Sequence, residues 1–260
     1  MLWNASAIKG YAIEASDDRL GTVSDFLFDD NSWLVRWLVV DTGTWLSGRK
    51  VLLPLSALGH IDQNREQFAV RLTKQEIKDS PNIDSDRPVS RQMESRLYDY
   101  YGWNPYWSSS MYMGGYMGGY WGGGLSEPTS PEIRRREELI NNIQRDDDDP
   151  HLRSIAAIAG YHVHATDGEI GHVEDLFVED TDWSIHYLLV DTKNWWPGKK
   201  VLISPRSTKS IDWNQKLFNL NIDRQKVKGS PDYDTATQVD GPYERQFHMY
   251  YGGVRPSHPL

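Results

Sequence analysis

The sequence predicts a mainly β protein of two tandem small β-barrels, and three observations lead there. The first is a repeat at a fixed offset of 150 residues, which runs without a gap over about ninety positions. Gly10-Tyr11 returns as Gly160-Tyr161, Val40-Asp41-Thr42 as Val190-Asp191-Thr192, and Tyr100-Tyr101-Gly102 as Tyr250-Tyr251-Gly252. A period this long marks a duplicated domain, because solenoid units are much shorter. The second is that each copy divides into short alternating apolar runs separated by turn residues. The third is a glycine-dense stretch between the copies, which has too little apolar side-chain volume to build a core. The expected organisation is a first barrel at 1–102, a linker at 103–150 and a second barrel at 151–260.

Taken in order, each copy opens with a short strand. Tyr11, Ile13 and Ala15 alternate with Ala12 and Glu14 before a turn at Asp17-Asp18; Tyr161, Val163 and Ala165 precede a turn at Asp167-Gly168. Second strands are expected at 20–28 and 170–178, with Gly21 and Gly171 near their starts as bulge or bend positions. In the third strand Trp33, Val35, Trp37 and Val39 are expected on one apolar face, matched by Trp183, Ile185, Tyr187 and Leu189. The opposite face turns apolar at Leu38-Val40 and Leu188-Val190, so this strand reads as central and covered on both faces at its far end.

A glycine-bearing loop then leads to Val51-Leu52-Leu53 and Val201-Leu202-Ile203. Ile61 and Ile211 begin strands that enter hairpin turns at Asp62-Gln63-Asn64 and Asp212-Trp213-Asn214. The return strands place Phe68, Val70 and Leu72, or Phe218, Leu220 and Ile222, on one face. A short helix closes each unit. Thr73-Lys74-Gln75-Glu76 has capping-box spacing, Asp223 serves as the second N-cap, and Ser80-Pro81 and Ser230-Pro231 end the helices. The linker contains Met113-Gly114-Gly115-Tyr116-Met117-Gly118-Gly119-Tyr120 and is expected to be disordered, with a short charged helix at 131–145.

Composition narrows the function. A formal net charge of -9 argues against phosphate-backbone binding as the main activity, so no nucleic-acid partner is expected. With no cysteine, disulfides, thiolate nucleophiles and cysteine-ligated metals are excluded. No basic-then-apolar leader and no span-length apolar run is found, so the expected location is the cytoplasm. No phosphate-loop glycine pattern, nucleophile elbow or zinc-protease motif occurs.

The residues Leu152-Arg153-Ser154, Gly160-Tyr161-x-Val163-x-Ala165-x-Asp167-Gly168-x-Ile170-Gly171 and Trp183-x-Ile185-x-Tyr187-Leu188-Leu189-Val190-Asp191-Thr192 resemble the PRC-barrel family. The resemblance continues through Trp195-Trp196-Pro197-Gly198-Lys199-Lys200-Val201-Leu202. The first copy matches more loosely, with Asp18 for the turn glycine and Leu46-Ser47 for Trp196-Pro197. The family includes the cytoplasmic part of the photosynthetic reaction-centre H subunit and the C-terminal domain of a ribosome-maturation factor. The resemblance implies two tandem PRC-type β-barrels acting as an interaction or assembly module with no shared catalytic centre.

The repeat also serves as a control, because a site common to both units must use residues present in both. His162 and His164 share a strand face that could approach a metal, but their counterparts are Ala12 and Glu14. His172 and His186 answer to Thr22 and Arg36. A solvated polar face is therefore the expectation, with no metal and no cofactor. Of the shared carboxylates, Asp25 and Asp175 lie in the second strands, Asp41 and Asp191 close the third strands as turn devices, and Asp30 and Asp180 precede the tryptophans in strand-joining turns; a structural role is expected for each. Acid–base work would require two of them to converge in a cleft, and no catalytic residue is assigned.

Trp45, Trp195 and Trp196, beside loop glycines, either pack over a barrel end or stand out as binding anchors, and they are the candidate binding residues. The functional expectation is a non-enzymatic module that binds protein partners. Its two barrels are expected to pair within the chain or between copies, and it would meet a membrane only through a complex. The alternatives are an H-subunit-like regulator of photosynthetic electron transfer and a small metal-dependent enzyme.

Overall fold

The computed structural model describes residues 1–80, 91–102, 152–192, 199–231, 233, 239 and 241–251. The expected linker and its charged helix lie outside the described residues. Strand β1 (Leu2–Asn4) precedes a first unit of β2 (Ala12–Glu14), β3 (Arg19–Asp29), β4 (Leu34–Asp41), β5 (Lys50–Pro54), β6 (Leu58–Asp62) and β7 (Gln67–Val70), followed by helices α1 (Lys74–Lys78) and α2 (Arg91–Tyr101). The second unit repeats this order with β8 (Leu152–Ser154), α3 (Ile155–Ile158), β9 (His162–Ala165), β10 (Gly168–Glu179), β11 (Ile185–Asp191), β12 (Lys200–Ile203), β13 (Thr208–Asp212), β14 (Leu217–Leu220), α4 (Arg224–Lys228) and α5 (Gly241–Tyr251). The sheet orders are β5-β4-β3-β2-β7-β6 and β12-β11-β10-β9-β14-β13. The pairs β2–β7 and β9–β14 are parallel.

Each sheet wraps a core. Val51 and Leu53 of one edge strand and Leu58 of the other are buried in the same cluster as Ile13, Phe68 and Ile77. Bends permit the wrap. The β2–β3 register breaks between Ile13 and Glu14, and the β9–β10 register between Glu169 and Gly171. Gly21 and Gly171 there hold φ of 156° and 146°. A Cβ at either would fall on the carbonyl oxygen of Asp41 or Asp191 in the facing strand, so only glycine lets the backbones approach.

The expected caps are present. Thr73 forms a full capping box with Glu76, and the Asp223 carboxylate accepts from the Lys226 N–H at 2.7 Å. Asp62 and Asp212 accept backbone N–H bonds within their hairpin turns.

The third strand departs from the expected alternation. Val35 joins Leu38 and Val40 in the barrel core, whereas Trp37 and Val39 lie in a separate outer cluster. Ile185 likewise parts from Tyr187 and Leu189. The cause is a bulge: Phe28 pairs with Val35 and Leu27 with Trp37, which leaves Arg36 as the extra residue. One inserted residue moves every later side chain to the other face. Trp33 and Trp183 are not on the strand at all. They precede it with φ of 57° and 59°, a conformation that bulky residues rarely hold.

Helices α2 and α5 are longer than the single short helix expected at the end of each unit. They cover the outer sheet faces that the bulges create. Leu97 and Tyr98 pack on Leu27, Trp37, Val39 and Leu52. Phe247 packs on Phe177, Tyr187, Leu189 and Leu202. The Trp37 indole donates to the fully buried Glu94 at 2.7 Å. Sparse apolar spacing in two polar segments gave little periodic signal for these helices.

The two units exchange strands. β1 pairs antiparallel with the second unit's β10, with Leu2 opposite Glu179 and Asn4 opposite Phe177. β8 pairs with the first unit's β3 in the equivalent register, with Leu152 opposite Asp29 and Ser154 opposite Leu27. Leu152 is buried under α2 and Leu2 under α5, so each unit's outer cluster is completed by the other's strand.

Candidate functional site

Two pairs of carboxylates shared by the two copies converge on the seam between the units. Asp25 and Asp175 stand just past bulges of the long strands, where the register shifts between Val23 and Asp25 and between Val173 and Asp175. Each bulge turns its carboxylate toward the segment that follows the other unit's exchanged strand. Asp25 accepts from the Ser154 hydroxyl, from the Ala156 N–H at 3.0 Å and from the Phe26 N–H at 2.8 Å. Asp175 accepts from the Ser6 N–H at 3.2 Å and the Leu176 N–H at 2.7 Å. Burial pushes both carboxyls above the ordinary carboxylate value, and these bonds oppose the rise.

A second pair of carboxylates repeats the arrangement at the strand ends. Asp30 accepts from the Arg153 guanidinium at 2.9 Å and Asp180 from the Trp3 indole at 3.0 Å, again across the seam. Positions 3 and 153 thus deliver a donor to the same acceptor by different chemistry. Arg153 also lies 4.2 Å above the Trp213 ring.

The tryptophans at positive φ complete the exchange. The Trp183 ring lies 6.0 Å from Phe26 and 6.4 Å from Phe68 of the first unit, and the Trp33 ring 6.2 Å from Phe218 of the second. Their carbonyls accept the N–H groups of Val35 and Ile185 at 2.9 and 2.8 Å. Left-handed backbone at a bulky residue costs about 1–3 kcal/mol and persists only where its surroundings fix it. Here the opposite unit's core provides that fixing.

A cleft of about 240 Å³ opens at the seam, lined by residues of both units, with Asp25 and Asp175 in its walls and Phe26, Val173 and Leu176 among its apolar lining. Two carboxylates therefore do share a cleft. Their oxygens, however, hold the donors that join the units, and this arrangement acts as a clamp. Asp41 behaves as the strand-end device expected of it, accepting from the Gly43 N–H at 2.8 Å.

Trp45 sits half-buried on the 3₁₀ turn Gly43–Leu46, packed on the barrel core. Its indole donates to the Leu20 carbonyl, and the Lys74 ammonium lies 5.1 Å above its ring. Trp195 and Trp196 lie outside the described residues. Among the described histidines, His162 stands opposite His172 across the β9–β10 pair; His162 meets Glu169 at 2.9 Å, while His172 and His186 stand 4.0 and 3.9 Å from Asp191 and Glu244. Among the described residues no group of three metal-ligating side chains forms, and no helix is long and apolar enough to cross a membrane.

The repeat singles out Asp25, Asp175, Asp30 and Asp180 as shared structural carboxylates but not their bonds to the opposite unit. The donors that reach Asp30 and Asp180 across the seam, Arg153 and Trp3, lie 123 and 177 residues away. The signal that was available is the recurrence of Leu2 as Leu152, just ahead of each barrel.

The fold and seam together define a pair of small β-barrels joined by exchanged strands and buried carboxylate bonds. Residues 4–77 match the family model described as PRC-barrel domain, so the first unit is a PRC barrel. The second unit repeats its strand order and pairing. An uncharacterized protein from Deinococcus radiodurans is 30% identical over 92 residues, which are 35% of this chain and 32% of that protein. The match thus spans about a third of that relative's length.

Proposed function

We propose that this chain is a non-catalytic assembly module of the cytoplasm that binds a protein partner. The observation that carries the reading is the use made of the carboxylates common to both units. Asp25, Asp175, Asp30 and Asp180 all accept bonds from the opposite unit, so the duplicated chemistry serves joining. A PRC barrel that already uses strand addition and buried clamps against its twin is built for contact with other chains. The partner-facing surface is the loop end of the barrel, where half-buried Trp45 and Leu46 stand beside exposed Thr44. Trp195 and Trp196 are the corresponding residues of the second unit.

A photo-cross-linking residue placed at Thr44 in the full chain, in its native cell, tests this. The expected result is a discrete protein adduct that a cross-linker at exposed Arg65 does not give. Adducts no stronger from Thr44 than from Arg65 would overturn the reading. So would stoichiometric metal in the purified protein accompanied by substrate turnover.

A further inference from the structure

The two units differ where their last helices end. In both, a tyrosine from the repeated Tyr-Tyr-Gly reaches back to a carbonyl of the short helix: Tyr100 donates to the Glu76 carbonyl at 2.9 Å and Tyr250 to the Lys226 carbonyl at 2.8 Å. The side chains at these equivalent positions carry opposite charge. The Lys226 ammonium folds over its tyrosines, 4.1 Å from the Tyr250 ring centroid and 5.8 Å from that of Tyr251. It also donates to the Tyr250 carbonyl at 2.7 Å. An aromatic face and a carbonyl at a helix C-terminus together make a seat for a cation.

In the first unit the Glu76 carboxylate turns away, to the Thr73 N–H at 2.7 Å and hydroxyl at 2.8 Å. Among the described residues, no Lys or Arg side chain lies over the Tyr100 ring. An open cavity of about 470 Å³ stands there instead, lined by Ala57, Arg71, Leu72, Glu76, Tyr100 and Tyr101. The guanidinium groups nearby are committed to backbone. Arg71 donates to the Ser56 and Leu58 carbonyls at 3.2 and 3.4 Å, and Arg49 to the Lys78 carbonyl at 3.1 Å. Burial first, then the charges of Asp79 and Glu76, push the Tyr100 phenol above its ordinary value, against a smaller opposing effect of Arg49.

We infer that the cavity beside Tyr100 receives a lysine side chain from a partner protein, in the place that Lys226 fills in the second unit. The Lys226 arrangement specifies the ligand: a primary ammonium on a flexible aliphatic stem, laid on a tyrosine face and bonded to a helix-end carbonyl. The inference rests on the interaction reading only for the source of the lysine.

The test is a titration of the full chain, labelled with ¹³C in its tyrosine rings, with N-acetyl-lysine N-methylamide. The neutral N-acetyl-norleucine N-methylamide is the control. A lone exposed contact of this kind binds on the order of 100 mM. The expected result is a saturable shift of the Tyr100 ring with the lysine compound alone, while the Tyr250 ring, already occupied, stays in place. Glu76→Lys, which copies the second unit, should abolish the Tyr100 response while leaving the thermal melt cooperative. The inference is overturned by equal shifts from both compounds, by a Tyr100 shift that does not saturate, or by a response that survives in Glu76→Lys. The two failures separate cleanly: a Tyr100 response without a Thr44 adduct keeps the ammonium seat but removes its protein source.

Discussion

Replacing Asp25 by alanine tests the clamp between the units most directly. The carboxylate accepts three bonds, of which those from the Ser154 hydroxyl and the Ala156 N–H cross the seam. Hydrogen bonds to a charged group contribute about 1.5–3 kcal/mol each, so the gross loss across the seam is about 3–6 kcal/mol. Two effects reduce it. The carboxylate bears a desolvation cost, seen in its raised pKa, and Ala156 is exposed enough for water to replace its lost partner.

The expected net destabilisation is about 1.5–2.5 kcal/mol by equilibrium urea unfolding of the full chain at neutral pH. A double-mutant cycle with Ser154→Ala should return a coupling of at least about 0.5 kcal/mol. The pH dependence has a definite sign. A carboxyl whose folded pKa exceeds its unfolded value of 3.8 binds its proton more tightly when folded, so wild-type stability from this group falls as pH rises from 3.8 through the raised value. Asp25→Ala lacks that loss, and its destabilisation should therefore shrink between acid and neutral pH. A coupling of zero, or a destabilisation that grows with pH over that window, would refute the reasoning.

Three further outcomes are expected. Gly21→Ala or Gly171→Ala, which drives a methyl onto the facing carbonyl, should cost more than about 3 kcal/mol or prevent folding, read as loss of a cooperative thermal transition. Trp37→Phe keeps the ring on Tyr98 but removes the donor to buried Glu94, and should cost about 1–3 kcal/mol by urea unfolding. Tyr101 and Tyr251, pushed up to about 12 chiefly by burial, should ionise near that value in an ultraviolet titration. Because an unfolded tyrosine ionises near 10, their contribution to stability falls as pH rises from 10 toward 12. Ionisation of both at their ordinary value, with the fold intact, would contradict the packing of α2 and α5.

Much of the fold was legible because it is local. The caps at Thr73 and Asp223, the Asp62 and Asp212 turns, and the Phe68-Val70-Leu72 face each depend on residues within a few positions of one another. The third strand was misread for a local reason that sequence hides. A bulge at Arg36 breaks a period-2 pattern without altering composition, since Val35, Trp37, Leu38 and Val39 are apolar on either reading. The candidate site was legible only by half. The repeat isolates its acceptors, Asp25, Asp30, Asp175 and Asp180, but not their donors: Ser6 and Trp3 carry no motif, and Leu152-Arg153-Ser154 enters the family resemblance without showing which carboxylates Arg153 and Ser154 meet.

The sequence by itself determined that one domain had been copied, that each copy is a small barrel of short strands, and which side chains both copies hold in common. Those properties follow from periodicity and turn chemistry, which act over a few residues. Only the tertiary structure decided that Leu2–Asn4 and Leu152–Ser154 change places, that Trp33 and Trp183 enter the opposite core, and that the shared carboxylates bind across the seam. Such contacts are set by the shape of two surfaces brought together over more than a hundred residues of chain. Closing a loop of that length costs little more entropy than closing one half as long, so surface complementarity selects the partner.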